Sequence, residues 1–436
     1  MTAFPKYERN KESGIEWVKK IPYHWDVKPG RVTLSLNKEK NAGNIEDTVL
    51  SLSYGRLVIK PPEKMTGLVP ESLEGYQIIN PGDIIIRPTD LQNDWTSLRV
   101  GLAKDRGIIT SAYLGLKHDD KVSSEYLYYL LHSYDLLKVY YGMGTGLRQN
   151  LSWDDFKYLP LTLPPKPEQD SIVAFLDQKT AEIDALIAKK QRQIELLDEQ
   201  KAILINRAVT RGLNPNAKLK PSGIEWIGDI PEHWEVVSLK RNANVQTGLT
   251  LGKDYPPSRS VEVPYLRVAN VQNGHLALGS VTTLRVPKSL VLRYALREGD
   301  VLVAEGGDLD KLGRGCVWRS EIETCMHQNH VFAVRPYPAK ILPEFLSLAL
   351  SCKYGQRYFM LTGKQTTNLA STNSTALMNF PVALPVVEEQ AEILKALDEI
   401  KIGFQNLIRL IESESQSLKT LRSTLIAHAV TGRIKV

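Results

Sequence analysis

Residues 169–212 read QDSIVAFLDQKTAEIDALIAKKQRQIELLDEQKAILINRAVTRG, and residues 390–433 read QAEILKALDEIKIGFQNLIRLIESESQSLKTLRSTLIAHAVTGR. The two stretches align without a gap, from the glutamine that opens each one to the Ala-Val-Thr near its end, at 208–210 and 429–431. Neither contains proline, and each has a glycine at its end, which is typical of a helix C-terminus. At about 1.5 Å per residue, each stretch predicts a single helix of roughly 60 Å.

Apolar residues recur at 4-3 spacing within both stretches, which predicts a coiled-coil seam along each helix. The first seam consists of Leu176, Ile183, Ile187, Ile194, Leu197 and Leu204, with Thr180, Lys190 and Lys201 in its gaps. The second consists of Ile393, Leu397, Ile400, Phe404, Leu407, Ile411, Leu418, Leu421 and Leu425, with Glu414 in one polar position. A lone helix of this kind favours a dimerisation coiled coil, whereas two copies in one chain favour pairing within the chain.

The repeat extends beyond the helices. Ser-Gly-Ile-Glu-Trp at 13–17 returns at 222–226, and in each case Ile-Pro and His-Trp follow. A Gly-Asp pair followed by three apolar residues occurs at 82–86 and again at 299–303. The spacing between matched motifs only grows along the chain, so we expect a few small insertions in the second unit.

The order of these motifs predicts an α+β protein with a pseudo two-fold internal repeat. We expect globular domains at 1–165 and 213–386, each followed by a long helix, at 166–212 and 387–436. Strands are predicted at 47–53, 83–87 and 108–117 in the first domain, and at 264–268, 300–304 and 331–334 in the second. If the two helices pair within the chain, they form an antiparallel coiled-coil pair that separates the domains.

Composition excludes several classes of protein. The 436 residues are 42% hydrophobic and 24% charged, which is ordinary for globular domains and not for a disordered chain. A net charge of +6 permits a nucleic-acid partner without requiring one. Three cysteines give no disulfide framework, and neither a signal peptide nor a membrane span is predicted, so we expect a cytoplasmic location.

Motifs for catalysis or metal binding are weak. Gly248 to Lys253 lacks the spacing of a phosphate-binding loop, and no amino-methyltransferase motif or glycine-rich cofactor loop is found. Cys325, His327 and His330 could suggest a metal, but a single thiolate that leads into a predicted strand favours a structural role. We therefore predict no catalytic residue, no metal and no cofactor on this chain.

The whole arrangement resembles the specificity subunit of bacterial type I restriction–modification enzymes. The resemblance is carried by motifs that all occur twice in order: SGIEW with IP and HW at 13–25 and 222–234, Leu-Pro at 163–164 and 384–385, Glu-Gln at 168–169 and 389–390, and Ala-Val-Thr at 208–210 and 429–431. It implies two target-recognition domains, each reading half of a split double-stranded DNA sequence. It also implies that the helical regions bind two methyltransferase subunits, which carry S-adenosylmethionine, and that two restriction (motor-nuclease) subunits complete the enzyme.

DNA-binding candidates come from polar clusters in predicted loops, because Arg reads guanine and Asn or Gln reads adenine through paired hydrogen bonds. In the first domain they are Ser53, Tyr54, Arg56, Arg87, Thr89, Asp90, Gln92, Asn93, Arg99, Ser111, Tyr113, Arg148, Gln149 and Asn150. In the second they are Arg267, Asn270, Asn273, Glu305, Asp308, Lys311, Arg314, Gln328, Asn329, Lys364, Gln365, Thr366, Thr367 and Asn368. We expect roughly half of them to be ordinary solvated loop residues.

Two other functions remain open at this point. A self-contained DNA methyltransferase or nuclease would bind its cofactor without a partner, so tight binding of S-adenosylmethionine by the isolated chain would support it. A coiled-coil scaffold without DNA function would show no preference in a DNA selection assay.

Overall fold

The computed structural model describes residues 4–61, 72–143, 149–250, 255–307, 312–365 and 370–436. The chain divides into two compact units, unit 1 (Met1–Gln191 with Glu412–Val436) and unit 2 (Arg192–Ile411). Both units mix helices and strands, as the sequence predicts.

The strands of unit 1 are β1 (Asn10–Glu12), β2 (Lys20–Pro22), β3 (Asp26–Pro29), β4 (Leu34–Leu36), β5 (Leu50–Ser53), β6 (Arg56–Ile59), β7 (Gln77–Ile79), β8 (Ile84–Ile86), β9 (Val100–Leu102), β10 (Gly107–Ile109), β11 (Leu114–His118) and β12 (Pro160–Leu163). Its helices are α1 (Ser124–Leu136), α2 (Trp153–Phe156) and the first part of the long helix α3 (Lys166–Arg211).

The strands of unit 2 are β13 (Leu219–Pro221), β14 (Asp229–Pro231), β15 (Glu235–Ser238), β16 (Ala243–Thr247), β17 (Val261–Leu266), β18 (Thr282–Val286), β19 (Val301–Ala304), β20 (Gly306–Gly307), β21 (Gly315–Val317), β22 (Met326–His327), β23 (Val331–Pro336), β24 (Lys364–Gln365), β25 (Ala370–Ser371) and β26 (Pro381–Leu384). Its helices are α4 (Lys288–Tyr294), α5 (Pro343–Ser351), α6 (Lys353–Thr362), α7 (Ser374–Met378) and the start of the long helix α8 (Val387–Val430). The remainder of α3 belongs to unit 2, and the remainder of α8 belongs to unit 1.

Each unit contains an antiparallel four-stranded sheet with the same connectivity. The strand order is β4-β11-β8-β9 in unit 1 and β16-β23-β19-β21 in unit 2. In both, the strand that comes last in the chain lies between the first and the second. Leu116 of β11 faces Leu36 on one side and Ile84 on the other, and Val334 of β23 has corresponding neighbours in unit 2. The central strands β8 and β19 are fully buried and β23 is nearly so, which explains their nearly continuous apolar sequence, whereas β11 is only partly buried.

One predicted strand is two. Residues 108–117 form β10 and β11, separated by a tight turn in which the N–H of Tyr113 donates to the carbonyl oxygen of Thr110 at 3.1 Å. The β-branched residues on both sides concealed this turn, since no glycine or proline marks it.

The core of unit 1 includes the end of α8. Leu425, Ile426, Ala429 and Val430 are buried in the same cluster as the residues of α1 and β8. The carbonyl oxygen of Val430 accepts hydrogen bonds from the hydroxyls of Tyr126 at 3.2 Å and Thr162 at 3.0 Å. Beyond the helix, the N–H of Lys435 donates to the carbonyl oxygen of Pro5 at 2.8 Å, so the last residues lie beside the first described ones.

The core of unit 2 includes the end of α3 in the same way. Ala208 and Val209 are buried with Trp234, Ile393 and Leu397. The repeated Ala-Val-Thr motif is therefore a core-packing motif at the end of each long helix.

Both long helices carry a buried glutamine as their fourth residue, which bonds to the preceding part of its own unit. The Gln169 side-chain oxygen accepts the N–H of Ser123 at 2.9 Å, and the Gln390 side-chain oxygen accepts that of Leu342 at 2.8 Å. Each side-chain amide also donates to the carbonyl oxygen five residues earlier, at 2.9 Å. Replacing either glutamine would leave buried polar groups unpaired, which explains why the same residue type occupies this position in both helices.

The His-Trp motif meets the glutamate that precedes each of these glutamines. Trp25 and Trp234 are fully buried in the cores of their units. The neighbouring His24 and His233 are half exposed and pair with Glu168 at 2.8 Å and Glu389 at 2.9 Å.

Two positions of the predicted seams lie on the exposed side of their helices. Leu204 and Leu407 are 37% and 50% exposed, while their neighbours Ile205 and Ile408 are partly buried. The other predicted seam residues are buried or partly buried. In both helices the inward positions in this region are spaced by four residues twice in succession. This departs from the 4-3 spacing of a strict seven-residue repeat, which 3.6 residues per turn does not match.

Candidate nucleic-acid interface

The loop that joins β8 to β9 in unit 1 is organised around Arg99, which is fully buried. Its guanidinium donates to the carbonyl oxygens of Arg87 at 3.3 Å, Thr89 at 2.7 Å, Asp90 at 3.3 Å and Asp94 at 2.6 Å. The prediction that Arg99 contacts DNA needs correction, because a guanidinium that is inside the protein and bonded to carbonyl oxygens has no surface to offer a base.

Arg87 lies at the start of this loop with its side chain held in place. Its guanidinium pairs with the Asp94 carboxylate at 3.2 Å and donates to the Ser97 hydroxyl at 3.4 Å. Hydrogen bonds from Ser97, first from its side chain and then from its backbone, lower the pKa of Asp94 to about 2. The carboxylate is therefore charged at any physiological pH, and it keeps the partly exposed Arg87 extended.

Three of the candidate residues lie together, because Asn93 and Asn150 both bond to Asp90. The Asn150 side-chain oxygen accepts the N–H of Asp90 at 3.0 Å, and the Asn93 amide donates to the Asp90 carboxylate at 2.8 Å. Gln92 and Asn93 are exposed, and Thr89 is partly buried. Gln149 precedes this contact in a left-handed backbone conformation, whereas Arg148 lies outside the described residues.

Sequence analysis missed the aromatic part of this surface. Trp95 is 54% exposed, yet its ring stacks on Tyr141 with centroids 4.6 Å apart, and its indole N–H donates to the carbonyl oxygen of Gln92 at 3.0 Å. The Lys138 ammonium lies 4.5 Å from the centre of the Tyr141 ring and donates to the Trp95 carbonyl oxygen at 2.5 Å. A tryptophan within a run of polar loop residues was the available signal.

The β5–β6 hairpin carries Ser53, Tyr54 and Arg56 next to this loop. A Cβ atom on Gly55 would lie 3.1 Å from the Leu98 Cβ, so the hairpin backbone packs directly on the end of the loop. Tyr54 is 91% exposed, and Arg56 pairs with Asp184 of α3 at 3.0 Å.

Ser111 and Tyr113 lie in the turn between β10 and β11 and contact a different part of unit 1. The Ser111 hydroxyl donates to the carbonyl oxygen of Gly75, and the Tyr113 carbonyl oxygen accepts the Gln77 amide at 2.7 Å. No bond to the loop after β8 is found for either residue within the described ranges, and both have structural partners of their own.

In unit 2 the corresponding surface follows β19. The Glu305 carboxylate pairs with His330 at 2.5 Å, and the Glu305 N–H donates to the His330 carbonyl oxygen at 2.9 Å. Gln328 and Asn329 precede this histidine and are partly exposed. His330 is not among the predicted DNA-binding residues, because its sequence context suggested only a metal ligand.

A small sheet brings polar residues that are distant in sequence into the strand region after Glu305. Strand β25 pairs with β20 on one side and β24 on the other, so Lys364 and Gln365 lie in the same sheet as Gly306 and Gly307, with β25 between them. The side chains of Lys364 and Gln365 are exposed. Five further predicted candidates lie outside the described residues: Asp308, Lys311, Thr366, Thr367 and Asn368.

Asn270 is a second residue whose predicted role needs correction, because it is buried. Its side-chain oxygen accepts the N–H of Arg267 at 2.8 Å, and its amide donates to the carbonyl oxygen of Ala277 at 2.8 Å. It therefore shapes a loop whose exposed residue is Asn273. The next residue of that loop, Gly274, donates to the carbonyl oxygen of Gly315, directly after the partly buried Arg314.

The part of the chain that the structure describes does not assemble a set of metal ligands. Across the described ranges, no group of three or more His, Cys, Asp or Glu side chains is placed to hold a metal ion. Cys325 and His327 point into the core, where burial raises the pKa of the thiol to about 12 and lowers the pKa of the imidazole. No helix in the described part of the chain is long and apolar enough to cross a membrane.

Comparison with known proteins places this architecture in a family. The family model described as type I restriction modification DNA specificity domain matches residues 110–196 and 231–419, which is more than half of the chain. The chain is 27% identical over 410 residues to the type I restriction enzyme MjaVIII specificity subunit of Methanocaldococcus jannaschii, covering 86% of this chain and 90% of that protein. It is 22% identical over 432 residues to the type I restriction enzyme EcoKI specificity subunit of Escherichia coli K12, covering 95% and 90%.

Solved structures agree on the fold. A chain from a type I R-M system, solved to study complex assembly and conformational transition, superposes with a TM-score of 0.63 at 17% identity and covers 94% of this chain and 98% of its own length. The HsdS subunit of Thermoanaerobacter tengcongensis superposes with a TM-score of 0.50 at 16% identity and the same coverage. The predicted α+β fold is thus confirmed, and the chain belongs to the type I restriction modification DNA specificity family, whose members are specificity subunits and not catalytic ones.

Proposed function

We propose that this specificity subunit reads a double-stranded DNA target in two halves, with unit 1 binding one half-site and unit 2 the other. The observation that carries the proposal is the recurrence of an outward polar cluster after the same strand of the same sheet, following β8 in unit 1 and β19 in unit 2. Amide and guanidinium groups in such a cluster can make paired hydrogen bonds to base edges in the major groove.

The two half-sites should differ in sequence. Unit 1 offers Arg87, Gln92 and Asn93, whereas unit 2 offers Gln328 and the acidic Glu305 beside an exposed histidine. Arginine favours guanine and carboxylates accept from cytosine, so different side chains at equivalent places select different bases.

The long helices are proposed to form an antiparallel coiled-coil pair that relates target-recognition domains at 1–165 and 213–386 by a pseudo two-fold axis. Two ion pairs support this, since Asp184 pairs with Arg422 at 3.0 Å and Lys190 with Glu414 at 2.6 Å. From the first pair to the second, the α3 residue number rises from 184 to 190 while the α8 residue number falls from 422 to 414, as expected for antiparallel helices. The second pair also joins the polar positions noted in the two predicted seams.

The helical regions 166–212 and 387–436 are also proposed to bind two methyltransferase subunits carrying S-adenosylmethionine, with two restriction subunits joining in the full enzyme. Exposed apolar side chains on the helices support a protein partner: Leu196, Ile203, Ile402 and Leu410 are 42% to 58% exposed. A row of such side chains is typical of an interaction surface. A cytoplasmic location, where host DNA is available, fits this role and stays a prediction.

Methylation mapping tests the proposal directly. The chain is coexpressed with its methyltransferase subunit, and methylated sites in the host genome are sequenced for three proteins: the original, Gln92→Ala/Asn93→Ala in unit 1, and Gln328→Ala/Asn329→Ala in unit 2. We expect a bipartite site for the original, and relaxed base preference in one half for the first variant and in the other half for the second. The proposal is wrong if both variants alter the same half or if the original has no bipartite site.

A further inference from the structure

The Arg99 guanidinium has all of its hydrogen-bond donors occupied. Four of its N–H groups donate to main-chain carbonyl oxygens of the loop after β8, and the fifth, on Nε, donates to the Tyr141 hydroxyl at 3.2 Å. A guanidinium has five N–H donors, so the set is complete. None of the five acceptors is a carboxylate, which distinguishes this arrangement from a buried ion pair.

The loop is wrapped around this one side chain. Between Arg87 and Asp94 four carbonyl oxygens turn inward, and Asp90 takes a left-handed backbone conformation with φ of +61°. A second bond ties the loop to the same partner, because the Tyr141 hydroxyl donates to the Asp94 carbonyl oxygen at 3.0 Å. Carbonyl oxygens buried without a donor are costly, so the loop conformation depends on Arg99.

The residues that face outward from this loop are the candidate readers of unit 1. Gln92 and Asn93 are exposed and Arg87 is partly exposed, while the carbonyl groups of Arg87 and its neighbours point at the guanidinium. Direct reading requires side chains positioned to a fraction of an ångström, which a loop alone does not provide.

We propose that Arg99 is a positioning residue that determines the half-site preference of unit 1 without touching DNA. The inference rests on the proposed function, since it presumes that this loop reads bases. It assigns specificity to a side chain that is wholly inside the protein.

Arg99→Lys is the sharp test because it keeps the charge and changes the number of donors. An ammonium has three donors, so at least two of the five hydrogen bonds that the guanidinium makes to this loop and Tyr141 are lost. Arg106→Lys is the matched control, since Arg106 also bonds through its guanidinium in unit 1, to Glu46 at 3.1 Å and Asn80 at 2.9 Å, outside this loop.

The measurement uses the complex of the full chain with its methyltransferase subunit and maps methylated sites in genomic DNA. For Arg99→Lys we expect discrimination at one or more bases of the unit 1 half-site to fall about tenfold, with the other half-site unchanged. Arg106→Lys should leave both half-sites unchanged. If Arg99→Lys lowers methylation equally at all sites, or leaves preference intact, Arg99 has only a folding role and the proposal is overturned.

Tyr141→Phe provides a second route if Arg99→Lys does not assemble. It removes the acceptor of Arg99 Nε and the donor to Asp94 but keeps the ring under Trp95. We expect a smaller relaxation of the same half-site, and unchanged discrimination would contradict the proposal. Absence of any bipartite site for the original protein would instead refute the proposed function, so the two failures are distinguishable.

Discussion

At the scale of single residues, Trp95 combines exposure with a fixed conformation. Stacking on Tyr141 and the bond to Gln92 leave little side-chain freedom to lose when a ligand binds. We expect Trp95→Ala to weaken binding of the methyltransferase complex to its target duplex by about tenfold, and Trp95→Phe to retain most of the affinity. Fluorescence anisotropy with labelled duplex measures both.

Tyr158→Ala is the control for that experiment. Tyr158 is also an exposed aromatic residue of unit 1, at 60%, but it packs under Arg31 and Lys157 away from the β8–β9 loop. Equal losses for Tyr158→Ala and Trp95→Ala would indicate a general effect of the surface and not a contact by Trp95.

The carboxyl group of Asp135, which bonds to the same loop, makes the stability of the protein depend on pH. It is buried, one carboxylate oxygen accepts the N–H of Arg99 at 2.6 Å, and the other has no hydrogen-bond partner among the residues that the structure describes. Burial raises its pKa from 3.8 to about 6. Because the folded pKa is above the unfolded one, the stability that Asp135 contributes is complete below pH 4 and is lost as pH rises through 6, on the order of 3 kcal/mol.

We therefore expect Asp135→Asn to raise the Tm relative to the original protein more at pH 7.5 than at pH 4.5. Asp94→Asn serves as the comparison, because the pKa of Asp94 is lowered in the folded protein. The stability that Asp94 contributes is therefore complete above about pH 4 and is lost only in stronger acid. Its Tm difference should not change over this range. A constant difference for Asp135→Asn would show that this carboxyl does not titrate there.

At the scale of elements, each long helix has an inward and an outward face, and a pair of substitutions in α8 can distinguish the two faces. Leu397 is fully buried in the core of unit 2, whereas Leu407, predicted as a seam residue, is 50% exposed. Leu397→Asp would bury an unpaired charge and should cost several kcal/mol of unfolding free energy. Leu407→Asp should change it by about 0.5 kcal/mol or less. Urea unfolding followed by circular dichroism measures both changes in unfolding free energy. Similar losses of stability for the two variants would support the prediction that Leu407 is a seam residue.

At the scale of the whole molecule, we expect helix length to set the gap between the two half-sites. Val209 is buried in unit 2, so an insertion there would disturb the core, whereas Gln191 and Glu412 are exposed. Four residues inserted after Gln191 and four after Ile411 add about 6 Å and roughly 40° of rotation. Two base pairs add about 7 Å and roughly 70° in the same sense.

Methylation mapping of this double insertion should show unchanged half-sites separated by about two more base pairs. An unchanged gap would show that the helices do not set the distance. Altered half-sites would show that reading and spacing are not independent. Inserting four residues in α3 alone is the control, because it shifts one helix against the other and should reduce assembly.

Local patterns were enough to predict the elements that repeat. Apolar spacing predicted both long helices, since one turn of helix places residues three and four apart on one face wherever the helix lies. The buried tryptophans and the glutamines near the start of the helices could also be found, because each motif occurs twice in the same order.

Side-chain direction in the loops, by contrast, depended on residues far away in the chain. Arg99 and Asn270 have the composition of DNA readers, yet both point inward because main-chain carbonyl oxygens needed donors. Lys364 and Gln365 share a sheet with the residues that follow Glu305 only because β25 pairs with both β20 and β24. Leu204 and Leu407 are exposed while the adjacent Ile205 and Ile408 are partly buried, because 3.6 residues per turn does not match a strict seven-residue pattern. Sequence thus determined which segments are helices and where polar clusters occur, and the tertiary hydrogen bonds decided which of those side chains face solvent.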